Sequence, residues 1–181
     1  VYADVEEMEQ YISPRTKAIF IETPTNPLLM EINIEKLATL AKKHQLLFIV
    51  DNTFYTPYLQ QPLTQGADIV IHSATKYLGG HNDVLAGLVV VKDVTLGEQL
   101  TYLHNAIGAV LSPLDTMLLI RGMKTLSLRL EKQQQNARQL AAFLKELPLV
   151  EEVLYPGKGA MISFRVQDKS LVSPFLEKLK I

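Results

Sequence analysis

Lys76 closes the run Ser73-Ala74-Thr75-Lys76, which sets two small hydroxyl side chains within three residues of an amine. Hydroxyls beside a positive group suit a phosphate. An amine held near apolar walls and a second cation loses its proton more readily, as Schiff-base chemistry requires. Gly79-Gly80 follows, where a backbone can approach a ligand closely. A lysine at the end of an apolar strand is ordinarily a snorkelling surface residue, so the neighbouring hydroxyls and glycines are what favour chemistry here.

Asp51 is the second anchor, at the end of the apolar run LLFIVD. Carboxylates in that position are often turn formers or helix caps. A buried, ionised acid needs a partner, however, and VDNTF contains no basic residue. A ligand cation would serve. At about 4 Å and an effective dielectric near 20, such a pair attracts by roughly 4 kcal/mol before desolvation is counted. That favours a protonated pyridine nitrogen in a dry site. An amine for an aldehyde, hydroxyls for a phosphate and an acid for a ring nitrogen are the three handles of pyridoxal 5′-phosphate. Other cofactors fit worse: there is no G-x-G-x-x-G, and Gly79-Gly80 follows the lysine where a Walker A glycine would precede it. The four histidines (44, 72, 81 and 104) form no H-E-x-x-H, and His81 with Asp83 is a weak pair, so no metal is expected.

These residues need elements to bring them together. Lys17–Glu22 (KAIFIE) reads as a strand, followed by the proline-rich ETPTNP. Asn33 can cap a helix whose apolar positions Ile34, Leu37, Ala38 and Ala41 recur at helical spacing. LLFIVD reads as a strand buried on both faces. After a loop, DIVIHSATK gives a third strand and GLVVVK a fourth. Strand, helix and strand at this spacing predict an α/β fold with a mostly parallel sheet and helices on both faces. Ligands in such sheets bind beyond the carboxyl ends of the strands. The polar residues there are Glu22, Thr23 and Asn26, then Asp51, Asn52 and Thr53, then Ser73, Thr75 and Lys76.

Further on, Ser112-Pro113-Leu114-Asp115 is a helix start. It predicts one long helix to about Leu147, bent near Gly122. MISFRV reads as a strand and 171–180 as a further helix. The expected division is a large domain over 1–130, then a linking helix and part of a smaller α+β domain over 131–181.

Composition narrows the function classes. The chain has 181 residues, 48% hydrophobic and 20% charged, with 18 Lys+Arg against 19 Asp+Glu. A net charge of -1 gives no electrostatic footprint for nucleic acid or an anionic membrane. The absence of cysteine excludes a disulfide framework, a thiolate metal site and a cysteine nucleophile within the chain. Val84 to Val91 falls far short of the roughly 18 apolar residues needed to span a bilayer. A cytoplasmic globular protein is the expectation.

ETPTNP, VDNTF and SATKYLGGHNDVLAG, in this order and spacing, resemble the Cys/Met-metabolism, or transsulfuration, family of pyridoxal-phosphate enzymes. RGMKTLSLRL, QNA and the YPG turn fit the same family, so the resemblance spans nearly the whole chain. It implies an aspartate-aminotransferase-like (fold type I) enzyme, homotetrameric as a dimer of dimers and acting on small amino-acid substrates. Lys76 would bond the cofactor and Asp51 would pair with its ring nitrogen. Ser73 and Thr75 would bind the phosphate, Asn26 the ring 3-oxygen, and Thr53 would contact the cofactor, with Glu22 a more remote candidate. Within the family the chain is most similar to its cystathionine γ-synthase and O-acylhomoserine sulfhydrylase-like members. That implies γ-replacement on an O-acylhomoserine by cysteine or another thiol. The alternatives are a cystathionine or methionine lyase, or an inactive piece or non-catalytic relative. The start at Val1 and the helical pattern running to Ile181 make the chain look like the middle of a family member, lacking parts that complete the pocket. The Tyr155-Pro156-Gly157 turn runs straight into KGAMISF where most members carry a longer stretch, which reads as a subgroup character.

Overall fold

The computed structural model describes residues 5–180. After a short helix α1 (Val5–Met8), strand β1 (Ala18–Glu22) leads through the TPTNP loop to helix α2 (Ile34–Lys43). Asn33 caps α2 as its position predicts, its Oδ1 accepting from the Lys36 N–H at 2.9 Å. Lys42 and Lys43 sit in the last turn, where they complement the helix dipole. Strand β2 (Leu47–Asp51), the single turn α3 (Thr56–Leu59) and strand β3 (Ile69–Ser73) follow.

The three strands lie parallel in the order β1-β2-β3, with Glu22 opposite Asp51 and Asp51 opposite Ile71. Their carboxyl ends therefore share one edge, the topological condition for the expected site. Strand β4 (Gly87–Val91) joins β3 antiparallel, pairing Ser73 with Gly87. The sheet is mixed, and the α/β fold class stands.

One face of the sheet is packed. Ile19, Ile21, Phe48, Val50 and Val70 meet Ile34, Leu37, Leu40 and Ala41 of α2 in a single apolar cluster. Side chains alternate along each strand, so the intervening residues face the other way. There, among the described residues, Phe20 remains 59% exposed and Val89 57%. Helix α4 (Val94–Ile107) approaches that side at the β4 edge, where Gly97 lies against Val91. Among the described residues, helices cover the α2 side of β1–β3 more fully than the other side.

Ser112 caps helix α5 (Pro113–Met123), accepting from the Asp115 N–H. The predicted long bent helix is in fact two. The chain breaks at Lys124 and Thr125 and resumes as α6 (Leu126–Lys145). The expected domain boundary at 130/131 falls inside α6. Beyond it, β5 (Val150–Leu154) and β6 (Ser163–Val166) form a separate antiparallel hairpin, followed by α7 (Val172–Glu177). No described helix is long and apolar enough to cross a membrane.

Candidate active site at the strand ends

Asp51 ends β2, and the chain turns immediately. The Thr53 N–H donates to Asp51 Oδ1 at 2.9 Å, and the Thr53 hydroxyl donates to the same oxygen at 2.6 Å. That hydroxyl in turn accepts from the Ser73 N–H at 2.7 Å, so one side chain ties the end of β2 to the end of β3. The Thr53 hydroxyl thus donates once and accepts once within the site. It is placed to orient Asp51 and Ser73, while Asp51 Oδ2 and Ser73 Oγ make no hydrogen bond among the described residues.

Asn52 points to the opposite side and is fully buried. Its amide donates to the carbonyls of Thr56 and Gln60 and accepts from Gln60 Nε2. These bonds fix the turn that presents Asp51. An amide in a loop carries little signal by itself, which is why its role is invisible without the fold.

Ala74 is wholly buried behind Ser73 and leads to an exposed Lys76, whose N–H donates to Ser73 O. The turn leaves the amine uncommitted at the sheet edge. Thr75 is occupied differently. Its hydroxyl accepts from the Ala86 N–H at 3.0 Å and donates to Ala86 O at 3.3 Å, clasping the strand leading into β4. The three residues are therefore together, with Ser73 and Lys76 free to meet a ligand and Thr75 holding the loop.

Asn26 is exposed in the loop after β1, whose Thr23, Pro24 and Leu29 are buried. Glu22 sits opposite Asp51 in the register, and its carboxyl is pushed up from the ordinary range. Burial is the main cause and the Asp51 carboxylate adds to it, while the Asn26 backbone N–H acts in the opposite sense. The loop is also gripped from the C-terminal hairpin. Ser163 Oγ donates to Pro27 O at 2.6 Å. Lys158 Nζ lies 2.9 Å from Glu31 Oε1 and 4.4 Å from the centre of the buried Tyr55 ring. The Tyr55 hydroxyl donates to Glu31, and burial together with that carboxylate holds it protonated well above the usual phenol range.

His72 faces the covered side, where a cleft of about 280 Å³ is lined by Asn52, Leu78, Leu88 and Val90 among others. Burial pushes its pKa down, against opposing contributions from the Asn52 backbone and Asp51. His81 is engaged through Nδ1 with Gly79 O at 2.7 Å. Among the described residues, no group of three or more His, Cys, Asp or Glu is placed to hold a metal ion.

The site thus offers an unengaged carboxylate oxygen, an unengaged hydroxyl and an unengaged amine on one sheet edge, the donor set that pyridoxal phosphate requires. The family model described as Cys/Met metabolism PLP-dependent enzyme matches residues 2–181. The chain belongs to this family. Members of the Cys/Met-metabolism family are pyridoxal-phosphate-dependent enzymes of sulfur amino-acid metabolism. The chain is 63% identical over 179 residues to the cystathionine γ-synthase/O-acetylhomoserine (thiol)-lyase of Bacillus subtilis (strain 168), covering 99% of the chain and 48% of the relative. It is 56% identical over 179 residues to the cystathionine γ-synthase of Haemophilus influenzae, again covering 99% and 48%. The crystal structure of cystathionine γ-lyase from Lactobacillus plantarum complexed with L-serine superposes with a TM-score of 0.96 at 47% identity, covering 98% of this chain and 51% of that one. The chain therefore spans about half the length of the relatives it matches.

Proposed function

We propose that the full-length protein catalyses γ-replacement on an O-acylhomoserine, with cysteine or another thiol as the incoming nucleophile. What carries this reading is the match in length as well as identity. The two relatives named as γ-synthases align over 179 residues, nearly the whole chain. The γ-lyase of B. subtilis and a β-lyase of Lactococcus lactis need alignments of 192 and 193 residues to cover 97% and 98% of it. Those lyases carry additional residues that this chain lacks.

The residues at the strand ends divide the work. When bound, the cofactor supplies an electron sink for the carbon skeleton of the substrate. In this reading Lys76 would hold the cofactor, and its amine would move protons at substrate Cα and Cβ. Asp51, oriented by Thr53, would face the ring nitrogen with its free Oδ2 and favour its protonated form. Ser73, whose N–H is already satisfied by Thr53, gives its hydroxyl to the phosphate, and Thr75 fixes the loop from which that contact is made. Asn26 would meet the ring 3-oxygen from a loop that Ser163 and Lys158 hold in place, and Glu22 lies beside Asp51 on the neighbouring strand. The incoming thiol is the second substrate, and this stretch of chain contributes no cysteine of its own. A homotetramer in the cytoplasm belongs to the same reading.

The TM-score of 0.96 to a γ-lyase favours a second reading, elimination from cystathionine or methionine. One assay separates the two. The full-length protein is given O-acetylhomoserine plus cysteine, or cystathionine alone. γ-Replacement predicts cystathionine from the first mixture with little α-keto acid from the second. Rapid α-keto acid release from cystathionine, with no cystathionine formed from the first mixture, would establish the lyase.

A further inference from the structure

The segment that follows Lys76 is held by an arginine far away in sequence. Arg129 lies in the first turn of α6. Its Nη1 donates to Tyr77 O at 2.9 Å, its Nη2 to Gly122 O at 2.8 Å, and its Nε to Thr125 Oγ1 at 3.0 Å. The Thr125 hydroxyl donates to Gly122 O in turn. One guanidinium thus joins the carbonyl of Tyr77, the residue after Lys76, to the carbonyl end of α5, where Gly122 O also accepts from the Thr125 N–H and hydroxyl. Bonds from an ionised donor are roughly twice as strong as neutral ones, and the planar fork reaches two carbonyls at once.

The packing around it leaves no room for side chains. A Cβ on Gly122 would lie 2.1 Å from Gly79 O, so α5 rests directly on the backbone of the lysine loop. A Cβ on Gly80, whose φ is +75°, would lie 2.2 Å from Arg129 Nη1. Gly79 and Gly80 donate back to Ala74 O and Lys76 O at 2.8 Å, closing a tight turn around the lysine. Burial draws the Arg129 pKa down from its usual value, and among the described residues no carboxylate pairs with it. Its guanidinium is engaged by one carbonyl of this turn, Tyr77 O, and one at the end of α5, Gly122 O.

We propose that Arg129 is the positioning residue for Lys76, fixing its backbone through the Tyr77 carbonyl and registering it against the break between α5 and α6. The inference rests on Lys76 being the cofactor lysine, but its structural half can be read without cofactor. The test uses the full-length protein with Arg129→Gln, Arg129→Lys and, as a milder lesion should the first two fail to fold, Thr125→Val. In the cofactor-free proteins, amide hydrogen exchange at Gly79 and Gly80 should speed at least about tenfold in R129Q, an opening change of about 1.4 kcal/mol, while the amides of β1 and β2 stay unchanged. R129K should exchange like R129Q, since a point ammonium cannot bridge both carbonyls. T125V should give a smaller change confined to the same amides. In the loaded enzymes kcat should fall about tenfold or more with KM nearly constant, because the substrate contacts are not touched. Unchanged exchange at Gly79 and Gly80, a uniform rise across the sheet, or wild-type behaviour of R129K would each overturn the proposal. Borohydride trapping of the wild type separates the two readings. If reduction fails to label Lys76, the assignment of the cofactor lysine is wrong, whatever the exchange data show for Arg129.

Discussion

The two faces of the sheet differ in kind. On the α2 side, Phe48 and Val50 are 1% and 0% exposed and belong to one apolar cluster. On the other side, β1 and β2 present Phe20 at 59% exposure together with Glu22 and Asp51, which lie side by side in the register. The alternation weakens toward β4, where Ile69 is buried and Val90 exposed on the sides opposite to expectation. The difference shows how one short strand serves two purposes. Phe48 and Val50 of LFIVD anchor the fold while Asp51 turns to the proposed site, so stability and the proposed function should be separable by neighbouring substitutions.

The largest effect should come from the packed face. Phe48→Ala removes a ring from a site with almost no solvent access, and urea unfolding should show a loss of about 3–5 kcal/mol. Asp51→Asn, three residues on, should do the reverse. It should lower kcat/KM at least about a hundredfold, or about 2.7 kcal/mol of transition-state stabilisation, with the unfolding midpoint barely moved. A destabilised but active D51N protein would break the comparison.

Glu22 gives a smaller, pH-dependent effect. Its folded pKa is raised, so its carboxyl favours the folded state fully below the ordinary carboxylate value of about 4.3. That contribution is lost as pH rises through the raised folded value. Across this window the cofactor-free wild type should lose stability relative to Glu22→Gln, with the two curves parallel on either side. Parallel curves throughout would contradict the burial and the Asp51 repulsion assigned to Glu22. The smallest effect belongs to Phe20→Ser on the open face, within about 0.5 kcal/mol of wild type in the same unfolding assay.

The strand ends were legible in the sequence because their residues are chemically unusual for their places. A lysine after two hydroxyls and an acid after four apolar residues stand out before any fold is known. The caps Asn33 and Ser112 were equally plain, since local side-chain to backbone bonding specifies them. What escaped detection lacked a buried pattern. None of the residues of α4 is buried, so no apolar stripe marks the helix, although Asp93 at its start and Gly108 at its end are proper caps. β5 reads VEEVL and pairs only with β6, too polar to register as a strand. The antiparallel sense of β4 and the break at Lys124–Thr125 depend on tertiary contacts. Arg129 sits in an apolar-looking LSLRL, and only the fold shows its donors spanning from the Tyr77 carbonyl to Gly122 and Thr125 at the break between α5 and α6.

The central claim is that the free amine at the end of β3 is where the cofactor is held. Borohydride reduction of the full-length holoenzyme followed by peptide mass mapping tests it directly. The account predicts one phosphopyridoxyl label, on the peptide containing Ser73-Ala74-Thr75-Lys76, and no label or cofactor absorbance band in Lys76→Ala. A label on another lysine, or an unchanged absorbance band in the K76A protein, would contradict it.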